Sequence, residues 1–381
     1  MIEAANRLQT VEEYYFSKKL REVGLLIASG KPVINLGIGS PDLQPPQKVV
    51  DAITASFQNP SAHKYQSYQG LPELREAIAK FYKEHFSVSL NPSNEILPLM
   101  GSKEGIMHIS MAYLNEGDEV LIPNPGYPTY QSVTKLVGAK GVLYELDEAN
   151  NWMPDFKALE KLDLSKVKLM WVNYPHMPTG AKPSKYVFEE LVAFGKKHNI
   201  LIVNDNPYSF ILNESPKSIL NVEGAKDVCL ELNSLSKTFN MAGWRVGMVV
   251  GNSEHINNIL KVKSNMDSGM FYGIQKGAIE ALNCSKMWFA TLNNVYLQRR
   301  NLVWQLADAL NCTYDKEATG LFVWAKLPAS IKSEVFIDKI LNENHVFITP
   351  GTIFGSKGEG YIRFSLCAST EVLEEAIERI K

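Results

Sequence analysis

Between residues 96 and 250 the chain alternates short apolar runs with longer stretches in which apolar residues recur every three or four positions. The short runs, 96–100, 119–122, 141–144, 168–173, 200–204, 228–232 and 246–250, read as strands. Segment 184–198 typifies the intervening pattern. Val187, Phe188, Leu191 and Val192 share one face, while Lys196, Lys197 and His198 gather where a helix dipole favours cations. Strand and helix in turn predict an α/β domain whose mostly parallel sheet is covered by helices on both sides. Ligands of such sheets bind in the loops beyond the carboxyl ends of the strands.

The flanks read differently. Pro72 opens a helix with Leu74, Ile78 and Phe81 along one stripe, and 273–310 reads as long helices. Strands over 321–326, 346–349 and 361–365, with helices over 333–344 and 370–380, predict a smaller α+β unit at the C-terminal end. No internal repeat or low-complexity tract interrupts the chain.

A length of 381 residues exceeds one typical core, so two domains are expected. The net charge of −2 offers no handle for nucleic acid or an anionic membrane. No apolar stretch approaches the ~20 residues of a membrane span, and the N-terminal residues lack the apolar core of a signal peptide. The four cysteines (229, 284, 312 and 367) form no Cys-x-x-Cys pair, which predicts neither a disulfide framework nor a metal site. A reduced, cytoplasmic location is the default expectation.

The chemistry concentrates in Ser234-Leu-Ser-Lys-Thr-Phe-Asn-Met-Ala-Gly-Trp-Arg-Val-Gly247, directly after a predicted strand. A lone lysine beside serines is most often a solvated surface residue. Here Lys237, with Ser234, Ser236 and Arg245, also suits a covalent aldehyde cofactor that carries a phosphate. Ser234-x-x-Lys237 fits a serine acyl-enzyme as well, but the Lys-Thr-Gly and Ser-Asp-Asn tripeptides of that chemistry are absent from the sequence. Gly101-Ser-Lys-Glu-Gly105 is either an ordinary strand-to-helix turn or an anion site at a helix start. Tyr127, in the rigid turn Asn124-Pro-Gly-Tyr-Pro128, can stack on a flat ring or simply fill the turn. Asp205 ends a strand in Asn204-Asp-Asn-Pro-Tyr208, where it reads as a helix cap or as the partner of a protonated ring nitrogen. Arg363, among apolar neighbours in Tyr361-Ile-Arg-Phe-Ser365, is an edge residue or a fork for a carboxylate.

In this order, these segments resemble the fold-type I pyridoxal-phosphate aminotransferases of class I and II. Asn35-Leu-Gly-Ile-Gly-Ser-Pro-Asp42 and Tyr65-Gln-Ser-Tyr-Gln-Gly-Leu-Pro-Glu-Leu-Arg75 are similar to two more of that family's segments. The resemblance implies a large cofactor domain over 45–280 and a small α+β domain built from both chain ends, 1–44 and 281–381. It implies pyridoxal 5'-phosphate in a Schiff base with Lys237. The phosphate would be held by Ser102, Lys103, Ser234, Ser236 and Arg245, the ring by Tyr127, Asp205 and Tyr208. The substrate carboxylate would meet Arg363 and the backbone near Gly39. Tyr65 would reach the phosphate of a partner subunit, making the protein a homodimer with shared sites. The implied reaction moves an amino group from an L-amino acid to a 2-oxo acid, 2-oxoglutarate above all, with ping-pong kinetics. A carbon–sulfur lyase would share the cofactor residues and release ammonia or thiol instead. A sensor that merely binds the aldehyde is disfavoured by the retained base and carboxylate clamp.

One position departs from the family. In Asn173-Tyr-Pro-His-Met-Pro-Thr-Gly180 the family's asparagine, which touches ring oxygen and substrate carboxylate, falls on Met177. Methionine offers a weak acceptor sulfur and no N–H, so no binding role passes to Met177. The stretch 263–272 contains no arginine that could take a second substrate carboxylate, which leans the donor toward neutral or aromatic amino acids.

Overall fold

The computed structural model describes residues 2–381 apart from 12, 14, 329 and 330 and the side chain at 16. At its centre is a seven-stranded sheet in the order Ile96–Leu99, Gly247–Gly251, Cys229–Ser234, Leu201–Asp205, Val167–Val172, Glu119–Asn124, Lys140–Glu145. Gly247–Gly251 runs antiparallel to both neighbours and the remaining pairs are parallel. Every residue of Leu201–Asp205 is buried, as expected of a strand covered on both sides. Successive side chains serve opposite faces. Met170, Val172 and Ile202 pack with Phe81, Phe188 and Leu191, whereas Leu169, Trp171 and Val203 pack with Ile106, Ile109 and Tyr130.

Local signals set the helix ends. Lys185–His198 begins where Ser184 Oγ accepts from the Val187 amide at 3.0 Å, and ends at Asn199 with φ 53°. Pro72–Phe86 has proline in its first turn, where no amide partner is lost. The long helices expected over 273–310 are Tyr272–Leu282 and Lys286–Ala309. The first packs on Gln47–Ser56 and Pro72–Phe86, the second on the C-terminal helix Thr370–Ile380, so the break at 283–285 separates two packing partners.

The expected strand over 346–349 also divides. Val346–Phe347 pairs in parallel with Ile34–Asn35, while Thr349–Pro350 pairs antiparallel with Tyr361–Ser365. All of 346–350 is buried, so hydrophobicity alone carries no sign of the change of partner. Tyr361–Ser365 continues through Phe322–Lys326 to Thr313–Tyr314 in a four-stranded sheet. Residues from the two chain ends share one apolar core, in which Ile34 and Leu36 meet Val346, Ile348 and Phe364.

Asp42 anchors the N-terminal strip to this unit. Its two carboxylate oxygens each accept from Arg299 at 2.7 Å, and Arg299, 3% exposed, also donates to the Leu366 carbonyl at 3.1 Å. Asp42→Ala leaves a buried guanidinium without its counter-charge. Urea unfolding should show a loss of about 1–3 kcal/mol, below the figure for a fully buried pair because Asp42 is partly exposed. An unchanged midpoint would show that the pair holds nothing together.

Candidate active site

Leu99 and Ser234 both pair with Gly247. The carboxyl ends of the parallel strands therefore open at one edge, where Gly247–Gly251 begins. A cavity of about 370 Å³ lies beyond that edge, and every predicted site residue except Tyr65 lines it. A larger cleft of about 620 Å³, between the end of Pro72–Phe86 and Lys286–Ala309, holds none of them. Tyr65 is 89% exposed and stands outside its own chain's cavity.

One end of the cavity is built for an anion. Gly101, at φ 87°, turns the chain from strand into the helix Ser102–Tyr113, whose first amides have no helical partner. A Cβ at Gly101 would stand 2.1 Å from Arg245 Nη2, so only glycine lets the guanidinium close over this turn. Arg245 is steadied by donating through Nη1 to the Ala242 carbonyl at 2.9 Å. Ser234 Oγ accepts from the Ser236 amide at 3.1 Å and donates to Ser236 Oγ at 2.8 Å, so its oxygen is engaged in capping the short helix Leu235–Thr238. Burial pushes the Lys103 amine below its ordinary pKa, and Arg245 adds to the effect. Helix start, guanidinium, hydroxyls and amine together suit a dianion such as phosphate.

The same cavity holds a buried acid. Asp205, 4% exposed, accepts at Oδ2 from the Tyr130 hydroxyl at 2.9 Å, while its buried Oδ1 has no hydrogen-bond partner among the described residues. Burial raises this carboxyl to about 7, partly offset by the bond from Tyr130. Tyr130 lies flat on Trp171, with ring centroids 4.9 Å apart. Sequence reading missed Tyr130, whose one signal is its place three residues after Tyr127, one helical turn on. Asn173 donates to the Asp205 carbonyl and accepts from the Met177 amide at 2.9 Å. Tyr127 caps the helix Pro128–Leu136 at the side of the cavity.

Lys237 lines the cavity as well. Its amine donates to the Gly39 carbonyl and titrates below the usual lysine range, chiefly through burial. Cys367 opposes that shift, while Arg363 and Arg245 add to it. Burial holds the Tyr208 phenol protonated. Gly39 has a steric reason to be glycine, since a Cβ there would come within 2.3 Å of the Phe322 ring.

Arg363, 4% exposed, donates through Nη2 to the Gly37 carbonyl at 2.8 Å and through Nη1 to Met177 Sδ at 3.3 Å. The Phe322 ring centroid lies 3.8 Å and the Phe354 centroid 4.7 Å from its guanidinium carbon. Phe322, Phe354, Ile38 and Leu20 form an apolar wall that sequence reading did not single out, because such residues look like ordinary core. Elsewhere, Glu104, His108 and Asp267 bring ligand atoms within 4.8 Å of one another, but the buried Lys263 ammonium already supplies Asp267 with a cation.

The model of the family "aminotransferase class I and II" matches residues 31–380. An LL-diaminopimelate aminotransferase of Aquifex aeolicus is 40% identical over 383 residues, covering 100% of this chain and 99% of the relative. One from Maridesulfovibrio salexigens is 40% identical over 379 residues, covering 99% of this chain and 98% of the relative. Among solved structures, substrate-bound BacF from Bacillus subtilis superposes with a TM-score of 0.95 at 36% identity, covering 100% of this chain and 97% of that one. An aspartate aminotransferase from Thermotoga maritima gives 0.91 at 27% identity, covering 99% and 98%.

Asp205 generates a pH signature. Its carboxyl rises from an ordinary 3.8 to about 7, so the fold holds a proton that the unfolded chain has lost, and stability falls as pH rises through that window. Between about pH 5 and about pH 8, chemical denaturation of the ligand-free protein should cost wild type roughly 2–3 kcal/mol more than Asp205→Asn. Equal losses would contradict the burial argument.

Proposed function

The chain belongs to the class I and II aminotransferases, enzymes that work with pyridoxal 5'-phosphate, and on that premise we propose that it transfers the amino group of a neutral or aromatic L-amino acid to 2-oxoglutarate. The observation that carries the donor is the apolar lining of Phe322, Phe354, Ile38 and Leu20 in the cavity that holds the buried Arg363 guanidinium. The residues fit the cofactor on three counts. The unpartnered Asp205 Oδ1 suits a ring N–H, the Gly101–Arg245 cradle suits a phosphate, and Lys237 offers a buried amine. When bound, the cofactor supplies an aldehyde that takes up the amino group and an electron-poor ring that spreads charge from the α-carbon.

The chain's own residues do the rest. The amides of Ser102 and Lys103, the Ser236 hydroxyl that Ser234 orients, and Arg245 would hold the phosphate. Tyr127 would pack on the ring, Tyr208 would donate to its oxygen, and Asp205 would keep its nitrogen protonated. Arg363 grips the substrate α-carboxylate next to Gly39, which fixes the direction of the Cα–H bond. Lys237 is the point of attachment; once free, its Nζ takes the proton from Cα. Burial lowers the pKa of that amine, as a general base near neutrality requires. The exposed Tyr65 belongs, in this reading, to the phosphate pocket of a second copy, which makes the working unit a homodimer.

LL-diaminopimelate is the second reading, favoured by the names of the curated relatives at 40% identity. A donor screen with 2-oxoglutarate, following glutamate, separates the two. Phenylalanine and tyrosine should outrun LL-diaminopimelate and aspartate, and Arg363→Ala should lower kcat/KM for the best donor by about 100-fold. A faster rate with LL-diaminopimelate would select the second reading. Ammonia released without any 2-oxo acid consumed would make the enzyme a lyase.

A further inference from the structure

Arg363 is held on several sides by the protein itself. Phe322 and Phe354 lie against the guanidinium, and Nη2 is committed to the carbonyl of Gly37. That carbonyl is a strong acceptor on a packed strip: a Cβ at Gly37 would sit 2.5 Å from the Phe347 ring, so the strip has no room to shift. Nη1 has a partner of another kind, the thioether of Met177 at 3.3 Å. Sulfur is a weak acceptor, and an ionised carboxylate makes far stronger, charge-assisted bonds to a guanidinium. Met177 is anchored by its own amide, which donates to Asn173, and its side chain is 6% exposed and lines the cavity.

We propose that Met177 is a specificity-determining residue. Its thioether keeps Nη1 aimed into the cavity, gives it up to an incoming α-carboxylate, and then forms an apolar surface against the substrate side chain. Ligands of this one site with neutral, apolar or aromatic side chains are thereby held more tightly than ligands that end in a second carboxylate, the acceptor 2-oxoglutarate included. The proposal rests on the donor reading above. Two properties of methionine make it suited to the role. Its bond to Nη1 is weak enough for any carboxylate to replace, and its unbranched, polarisable side chain adapts to aromatic rings. It presents no N–H, so a distal carboxylate pressed against it loses water and gains no partner. A side-chain amide of the same length would offer both a competing acceptor for Arg363 and a donor for that distal carboxylate.

The test uses unreactive ligands, so that it does not depend on turnover. Binding of 3-phenylpropanoate and of glutarate to the cofactor-loaded enzyme is measured by calorimetry for wild type, Met177→Leu, Met177→Gln and Met177→Asn. Circular dichroism and cofactor absorbance establish that each variant is folded and loaded. Wild type should bind 3-phenylpropanoate at least about tenfold more tightly than glutarate. Met177→Leu, apolar and of similar volume, should hold that ratio within about threefold, while Met177→Gln should narrow it by about fivefold or more. Met177→Asn serves as the second polar variant should Met177→Gln fail to fold. A ratio unmoved in the polar variants, or narrowed as much by leucine, would overturn the assignment. Wild type that transaminates no aromatic amino acid would defeat the donor reading on its own, and the binding ratios would still decide the role of Met177.

Discussion

The structure turns on two buried charges of opposite sign that line one cavity yet are engaged elsewhere. The Lys237 amine is turned to the carbonyl of Gly39, and the Asp205 carboxylate to the phenol of Tyr130, with one oxygen left over. Taking a carboxylate or an ammonium out of water costs several kcal/mol per ion, and direct pairing would be the simplest relief. The fold instead ends one strand at Asp205 and caps a short helix at Ser234, which puts the two groups on separate elements with separate hydrogen-bond partners. Both pKa values move toward the neutral form as a result, Asp205 upward and Lys237 downward. In the proposed function, a cofactor with a cationic ring nitrogen and an electrophilic carbon would relieve both penalties at once, which would link folding energetics to cofactor affinity.

The N-terminal strip ties this cavity to the small sheet. Gly37 receives Arg363 Nη2 and the Thr349 hydroxyl at its carbonyl, and two residues on the Gly39 carbonyl receives Lys237. Asp42 then locks the strip to Arg299 on the long helix. Arg363 and Lys237 thus share a short piece of backbone, so a change in packing near Phe322 or Phe347 is felt at both groups. The two glycines admit those rings where any side chain would collide.

Much of this was legible in the sequence, and the exceptions have physical causes. Strands buried on both sides produce continuous apolar runs, and the partly exposed edge strand Lys140–Glu145 still carries the run Val142–Tyr144, so all seven strands of the large sheet could be read directly. Helix ends carried their own chemistry, as at Ser184 and Pro72. The division at 346–350 was hidden because every residue there is buried whichever sheet it joins. Arg363 was ambiguous locally; its partners at Gly37 and Met177 lie more than 180 residues away in the chain. Tyr130, Phe322 and Phe354 escaped notice because a wall of a binding cavity and a core facet have the same composition. Met177 could be seen to depart from its family, but its contact with Arg363 needed three dimensions.

The most direct measurement is chemical trapping at the proposed attachment point. Purified protein is loaded with pyridoxal 5'-phosphate, reduced with borohydride, digested and mapped by mass spectrometry. The account predicts the reduced cofactor on the peptide that contains Lys237, and its disappearance in Lys237→Ala. A label on another lysine, or full turnover by Lys237→Ala, would contradict it.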